Sequence, residues 1–189
     1  MPTAKINDIQ VYYEVRGEGD PLLLIAGLGS ALRLFVKSAP IFAEHRKVIS
    51  FDNRGAGRTE KPDVPYTIET MADDTAGLLR FLGVPRADVL GVSMGGRIAM
   101  DLAIRYPEMV RRLILVSTSA RVTKESRRAL SFRLGRLTKR VTGSGPFGSA
   151  QPYYAFRRQL DASGKYDCTG RLGEIASPTI IVRGDRDSL

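Results

Sequence analysis

The segment over residues 89–96, Val-Leu-Gly-Val-Ser-Met-Gly-Gly, restricts the possible folds of this chain more than any other stretch. An apolar run leads into its Gly-x-Ser-x-Gly pattern, and a helical pattern follows over residues 96–106. Gly91 and Gly95 leave room for a sharp strand-to-helix turn, and Ser93 takes the strained position at its apex. The N-terminus of the following helix offers free N–H groups and a partial positive charge to an oxyanion. The segment therefore predicts a nucleophile elbow whose serine hydroxyl projects above a sheet.

Apolar runs alternate with helical patterns before and after this elbow. A hairpin is predicted to turn at Asn7-Asp8, and a helix capped by Thr67 is predicted to end at Gly83. A further helical stretch is expected to break or kink at Pro40. Continuous apolar runs predict strands at residues 22–25, 47–51, 111–116 and 178–182, and the first of them is expected to be buried on both faces. The alternation predicts an α/β domain with a mostly parallel sheet.

The alternation of predicted strands and helices is interrupted over residues 118–177, which are basic and helical in places. We expect residues 1–117 and 178–189 to form the core and the segment between them to form a helical, cap-like insertion. Within it, residues 121–140 hold eight basic residues against Glu125 alone. Such a stretch suits an anionic partner, or it is the solvated face of an amphipathic helix. Apolar residues recur at helical spacing beneath the charges, and the basic residues do not alternate with aromatic ones, which favours the solvated face.

Length and composition fit one soluble globular domain. The chain has 189 residues, 43% of them hydrophobic, and a net charge of +9. No run is long enough to span a membrane, residues 1–10 lack the pattern of a signal peptide, and a single cysteine, Cys168, excludes an internal disulfide. We therefore expect a cytoplasmic protein with neither nucleic acid nor a membrane as partner. Recruitment of anionic substrates by the basic stretch is a weaker alternative, which salt-sensitive binding would support.

Four segments together resemble the α/β-hydrolase superfamily, especially its lactonase, esterase and cofactor-free haloperoxidase-like branch. The segments are Leu24–Gly29, Phe51–Thr59, Gly91–Gly96 and Pro178–Asp187, so the resemblance extends over nearly the whole chain. It implies an α/β-hydrolase fold that acts on a small-molecule ester, lactone or related activated carbonyl compound. Similar proteins also hydrolyse C–C bonds or carry out perhydrolysis. The resemblance implies no cofactor, and the sequence has no cluster spaced to bind a metal.

The resemblance also implies roles for particular residues. Ser93 would be the nucleophile, and the backbone N–H groups of Leu28 and Met94 would form the oxyanion hole. The family usually has His-Gly where this chain has Ala26-Gly27. Because the hole uses backbone donors, this departure leaves it intact.

Two aspartates follow the last predicted strand. By the resemblance, the acid of the catalytic triad lies in a Gly-x-x-Asp turn, which selects Asp187 over Asp185. Aspartates also favour turns without any catalytic role. Asp52 and Arg54 are expected to be structural, because similar proteins hold this loop by internal hydrogen bonds.

The sequence lacks the histidine that the resemblance requires. In this superfamily the histidine follows the acid, but only Ser188 and Leu189 follow Asp187. The single histidine, His45, precedes a strand whose far end faces the active side, so it is expected at the surface of the opposite edge. Without an imidazole Ser93 is a poor nucleophile, and this chain alone is expected to be nearly inactive.

The resemblance further implies a C-terminally truncated fold without its last strand and helices. The strand Thr179–Val182 would then have an exposed edge, and we expect self-association to cover it. The alternative function is a non-catalytic binding or signalling module on the same fold. The missing histidine favours this alternative. The intact elbow and the intact Gly-x-x-Asp turn argue against it, because such a module has no chemical need for either.

Overall fold

The computed structural model describes residues 2–123 and 151–185 of the chain. Its centre is a seven-stranded sheet in the order β1-β2-β4-β3-β5-β6-β7. The strands are β1 (Thr3–Ile6), β2 (Ile9–Arg16), β3 (Pro21–Ile25), β4 (Lys47–Phe51), β5 (Ala87–Val92), β6 (Val110–Val116) and β7 (Thr179–Val182). The pairs that involve β1 or β2 are antiparallel, and all other pairs are parallel. The predicted mostly parallel sheet is confirmed.

Helices occupy both sides of this sheet. The α-helices of the described ranges are α1 (Ser38–Ala43), α2 (Ile68–Phe81), α3 (Met94–Arg105) and α4 (Tyr153–Lys165). Short 3-10 helices cover Leu32–Phe35, Pro107–Met109 and Thr169–Glu174. Over the same ranges, every helix is too short or too polar to cross a membrane.

The ends of α2 follow the predicted capping residues. The Thr67 hydroxyl oxygen accepts a hydrogen bond from the Thr70 N–H at 3.0 Å, which satisfies one of the free donors at the start of the helix. Gly83 follows the last turn with φ of 63°, a left-handed conformation that glycine adopts without steric cost. Both predicted ends are confirmed.

Pro40 does not break the helix that contains it. α1 begins at Ser38, so Pro40 lies in the first turn. The backbone N–H groups of a first turn have no intrahelical acceptor, and a proline there loses no hydrogen bond. The interruption falls instead at residues 36–37, between the 3-10 helix and α1. The expected break at Pro40 is therefore wrong.

The central strand β3 is buried on both faces. Leu23 and Ile25 belong to the larger core cluster, with residues of α2 and α3. Leu22 and Leu24 belong to a second cluster, which includes a residue of α1. A strand covered on both faces needs a continuous apolar run rather than an alternating pattern. The run of apolar residues in the sequence predicts this central position correctly.

Strand β7 forms one edge of the described sheet. It pairs with β6 from Leu113↔Thr179 to Val116↔Val182. Its residues Ile180, Ile181 and Val182 are 62%, 74% and 47% exposed. Interior parallel strands are normally covered on both faces, so this apolar edge is unusual. The expected exposed edge is confirmed for the described part of the chain.

The described part of the predicted insertion packs on the same core as the sheet. Ala162 of α4, and Tyr166 and Cys168 just after it, belong to the larger core cluster. Most of the basic stretch, from residue 124 onward, lies outside the described residues. The division of the chain at residues 118–177 therefore stays a prediction.

Candidate active site

Ser93 has the strained backbone that the elbow pattern predicts. It lies between β5 and α3 with φ of 54° and ψ of −118°. A conformation of this kind costs on the order of 1–3 kcal/mol. The Ser93 N–H donates to the Val116 carbonyl oxygen at 2.9 Å, and the Ser93 carbonyl oxygen accepts from the Thr118 hydroxyl at 2.7 Å. The end of β6 therefore supports the turn.

Close backbone contacts explain both glycines of the motif. A Cβ atom on Gly95 would lie 2.7 Å from the carbonyl oxygen of Ala26. A Cβ atom on Gly91 would lie 2.7 Å from the Cα of Gly96. Both separations are far below the ordinary contact distance of roughly 3.5–4.0 Å between carbon atoms. Because α3 approaches β3 and β5 this closely, its N-terminus lies beside the loop that follows β3.

The loop after β3 lies against Ser93. β3 pairs with β5, and a Cβ atom on Gly27 would lie 3.2 Å from the Ser93 Cβ and 3.8 Å from its Oγ. The described residues provide no hydrogen-bond acceptor for the N–H groups of Leu28 and Met94. The structure therefore brings together Ser93, Leu28 and Met94, three of the four residues predicted for the site.

Three polar side chains hold this loop. Asn53 Nδ2 donates to the Ala26 carbonyl oxygen at 2.9 Å. An Asp52 carboxylate oxygen accepts from the Leu32 N–H at 2.7 Å, and Gln159 Oε1 accepts from the Gly29 N–H at 3.2 Å. No pattern in the sequence indicates Gln159, because it comes from α4, 130 residues away from Gly29.

Asp52 and Arg54 have structural partners. Asp52 also accepts a hydrogen bond from the Arg58 N–H at 2.8 Å, and burial raises the pKa of its carboxyl group. The buried Arg54 guanidinium pairs with Asp74 at 2.8 Å and with Asp8 at 2.6 Å. These contacts tie the loop after β4 to α2 and to the turn between β1 and β2. They support the structural interpretation of both residues.

A partly buried positive charge lies on the first turn of α3. Arg97 donates to the hydroxyl oxygens of Ser163 at 2.8 Å and Ser119 at 2.9 Å. Within residues 2–123 and 151–185 it has no carboxylate partner, and burial lowers the pKa of its guanidinium. One turn beyond Ser93, this charge adds to the helix N-terminus in favouring a bound anion. No pattern in the sequence indicates Arg97.

The other predicted catalytic residue, Asp187, lies outside the described residues. His45 is exposed, and it precedes Lys47, which pairs with Pro21 at the start of β3. Ser93 follows the end of β5, which lies at the opposite end of the parallel strands. The expected surface position of His45 is confirmed. In the described ranges, no group of His, Cys, Asp or Glu side chains is placed to hold a metal ion.

Comparison with known proteins gives consistent matches. A family described as the alpha/beta hydrolase fold matches residues 20–160. A protein from Azorhizobium caulinodans named as a carbamate hydrolase, RutD, is 37% identical over 159 residues, or 82% of this chain and 58% of that protein. A protein from Mycobacterium tuberculosis named as a non-heme bromoperoxidase, BpoC, is 41% identical over 118 residues, or 61% of this chain and 45% of that protein. This chain therefore spans about half the length of these two relatives.

A solved structure gives the corresponding match in three dimensions. The structure of a hydrolase from Pseudomonas aeruginosa superposes with a TM-score of 0.83 at 25% sequence identity. The match covers 97% of this chain and 79% of that protein. The overall fold therefore has a close structural counterpart.

Proposed function

The chain belongs to the alpha/beta hydrolase fold family, and from this we propose that it carries the nucleophile and oxyanion hole of a serine-type hydrolase. The substrates are esters, lactones or related activated carbonyl compounds. The observation that carries the proposal is the strained Ser93, which lies directly against the Gly27–Leu28 loop. A relative named as a carbamate hydrolase supports including carbamates in this class, because a carbamate presents the same kind of carbonyl carbon.

In the proposed reaction the Ser93 Oγ attacks the substrate carbonyl carbon. The carbonyl oxygen becomes an oxyanion that accepts hydrogen bonds from the N–H groups of Leu28 and Met94. Loss of one such donor typically costs about 100- to 1,000-fold in rate. The alcohol or amine leaves with a proton, an acyl group remains on Ser93, and water releases the acid.

The proton of the Ser93 hydroxyl needs a base. In the proposed triad this base is a histidine oriented by Asp187, and the only histidine in the sequence is the exposed His45. A serine hydroxyl without an adjacent base is a weak nucleophile at neutral pH. We therefore expect this chain by itself to be nearly inactive.

An external base provides the test of this proposal. Hydrolysis of p-nitrophenyl acetate is measured with and without added imidazole, for the wild-type chain and for Ser93→Ala. Without imidazole the two proteins should turn over equally slowly. Imidazole alone also hydrolyses this ester, so its rate without protein is subtracted. The remaining rate of the wild type should exceed that of Ser93→Ala by about tenfold or more, because general-base catalysis contributes roughly 100- to 10,000-fold in complete sites. In the presence of imidazole, a fluorophosphonate should modify Ser93, and mass spectrometry identifies the labelled residue.

Two outcomes would contradict parts of this proposal. Equal rates of the two proteins in imidazole, together with an unlabelled Ser93, would favour the non-catalytic binding module. Rapid Ser93-dependent turnover without imidazole would show that the chain contains a base other than the one proposed.

The apolar edge of β7 carries a second part of the proposal, which is self-association. Ile180, Ile181 and Val182 form an exposed apolar row, and among residues 2–123 and 151–185 no strand pairs with the outer edge of β7. An exposed apolar edge strand readily pairs with another chain. Another copy of this chain, aligned edge to edge, would cover the row through an isologous contact.

A further inference from the structure

Gln159 connects α4 to the two loops that surround the elbow. Its side chain has no exposed surface. Its Oε1 accepts from the Gly29 N–H at 3.2 Å and from Gln151 Nε2 at 2.9 Å. Its Nε2 donates to the Arg54 carbonyl oxygen at 2.7 Å. One buried amide group therefore bridges the loop after β3 and the loop after β4.

These contacts lie next to the proposed oxyanion donor. The Leu28 N–H shares a rigid peptide plane with the Gly27 carbonyl group, and that carbonyl accepts from the Ser30 N–H at 3.1 Å. The next plane joins the Leu28 carbonyl group to the Gly29 N–H, which Gln159 holds. The two planes on either side of the Leu28 Cα are thus both fixed by hydrogen bonds. The direction of the Leu28 N–H follows from them.

We propose that Gln159 is a positioning residue for the oxyanion hole. It holds the Leu28 N–H in the direction that the hole requires, although it does not itself contact substrate. This inference rests on the proposed function, because it assigns Gln159 a role through the Leu28 donor. It also makes the helix α4, which belongs to the predicted insertion, a part of the catalytic framework.

The contacts require an amide at this position. One end of the side chain accepts from two N–H donors, and the other end donates to a carbonyl oxygen. A leucine would leave all three partner groups buried without a hydrogen bond. A glutamate would accept at one end, but in its ionised form it would place a negative oxygen against the Arg54 carbonyl oxygen. A protonated glutamic acid would restore the donor, and burial favours the protonated form.

The experiment uses the full chain with two independent measurements. The first is the rate at which a fluorophosphonate modifies Ser93 in the presence of imidazole. The second is hydrogen exchange of the Gly29 amide, followed by NMR. The variants are Gln159→Leu and Gln159→Glu, and the matched control is Gln10→Leu, which makes the same chemical change at an exposed strand position.

We expect Gln159→Leu to slow the labelling of Ser93 about 100-fold and to accelerate exchange of the Gly29 amide. Gln10→Leu should match the wild type in both measurements. For Gln159→Glu, the labelling rate relative to the wild type at the same pH should rise as the pH is lowered from 8 to 5. If Gln159 only stabilised the fold, the labelling rate of the folded Gln159→Glu variant would not recover at low pH.

The outcomes separate this inference from the proposed function. A folded Gln159→Leu that labels like the wild type, or a Gln159→Glu without recovery at low pH, would overturn the positioning role. If the wild-type Ser93 does not label above background, the proposed function fails. In that case hydrogen exchange of the Gly29 amide still tests whether Gln159 holds the loop after β3. An unchanged exchange rate in Gln159→Leu would show that it does not.

Discussion

The hydroxyl of Thr118 donates to the carbonyl oxygen of Ser93 at 2.7 Å, so the proposed nucleophile is supported from the strand beside its own. Ser93 follows β5, and Thr118 comes two residues after the end of β6. A residue with φ of 54° keeps this conformation only where surrounding contacts determine it. The Thr118 hydroxyl is one of these contacts.

Replacing Thr118 with valine tests this support. Valine keeps the shape of threonine and removes the hydroxyl group, so Thr118→Val should lower the free energy of unfolding by about 1 kcal/mol. It should also slow the labelling of Ser93 by a fluorophosphonate. Urea unfolding and labelling kinetics measure the two effects. Thr3→Val, at an exposed position of β1, is the control and should change neither.

Gly95→Ala should weaken the packing of α3 on β3. Its Cβ would lie 2.7 Å from the Ala26 carbonyl oxygen, so helix and strand must move apart. Such overpacking costs on the order of 1–3 kcal/mol. Gly173→Ala is the matched control, because a Cβ on Gly173 would meet no atom within 4 Å. Equal thermal stability of the two variants would contradict the close approach.

Asp88 should make the fold sensitive to acid. Burial alone would raise the pKa of this carboxyl group, but hydrogen bonds from Arg111 at 2.7 Å and Arg46 at 2.6 Å outweigh it and hold the pKa below the ordinary value of 3.8. A carboxyl group with a lowered pKa in the folded state stabilises the fold above its unfolded pKa. This contribution disappears as the pH falls from about that value through the folded pKa.

Asp88→Asn should therefore lower the free energy of unfolding at pH 7 by about 2 kcal/mol. The difference from the wild type should shrink as the pH falls below 3.8. Denaturant titrations across this pH range measure it. Asp161→Asn provides the control, because Asp161 is exposed and its arginine neighbour is 3.9 Å away. A difference that does not depend on pH would contradict the ion-pair explanation.

Ile181→Lys should reduce self-association. A lysine on an exposed edge strand opposes pairing with another edge. In sedimentation velocity the wild type should form dimers or larger species with increasing concentration, and the variant should remain smaller. Ile41→Lys makes the same change on α1, where Ile41 is 62% exposed, and should associate like the wild type. A wild type that stays monomeric throughout would disprove the proposed contact.

Local sequence patterns predicted the sheet and the elbow well. Continuous apolar runs identified buried strands such as β3, and the small residues around Ser93 identified the turn, because both depend on neighbours in the chain. The effect of Pro40 could not be predicted in this way, because it depends on where the helix begins. A proline in the first turn loses no hydrogen bond, whereas the same residue one turn later would lose one.

The polar contacts around the site could not be predicted in this way. Gln159 binds residues 130 and 105 positions away, and Arg97 binds a hydroxyl 66 positions away. Such pairs depend on how α4 docks on the sheet, and no periodicity in the sequence indicates this docking. The family resemblance pointed to Leu28 and Met94 as oxyanion donors and to Asp52 as a structural residue, but it contained no information about Gln159, which also holds the loop.

The position of β7 in the sheet has a consequence for the order of folding. β1 and β2 are joined by two residues, and a hairpin of this kind forms within roughly 1–10 μs. β7 pairs with β6 only after the connection over residues 117–178 has closed, at a greater cost in loop entropy. On the ribosome, strands β1 to β6 can therefore assemble before β7 is made. The edge of β6 that pairs with β7 stays free until then. We expect docking of β7 to be among the last steps of folding.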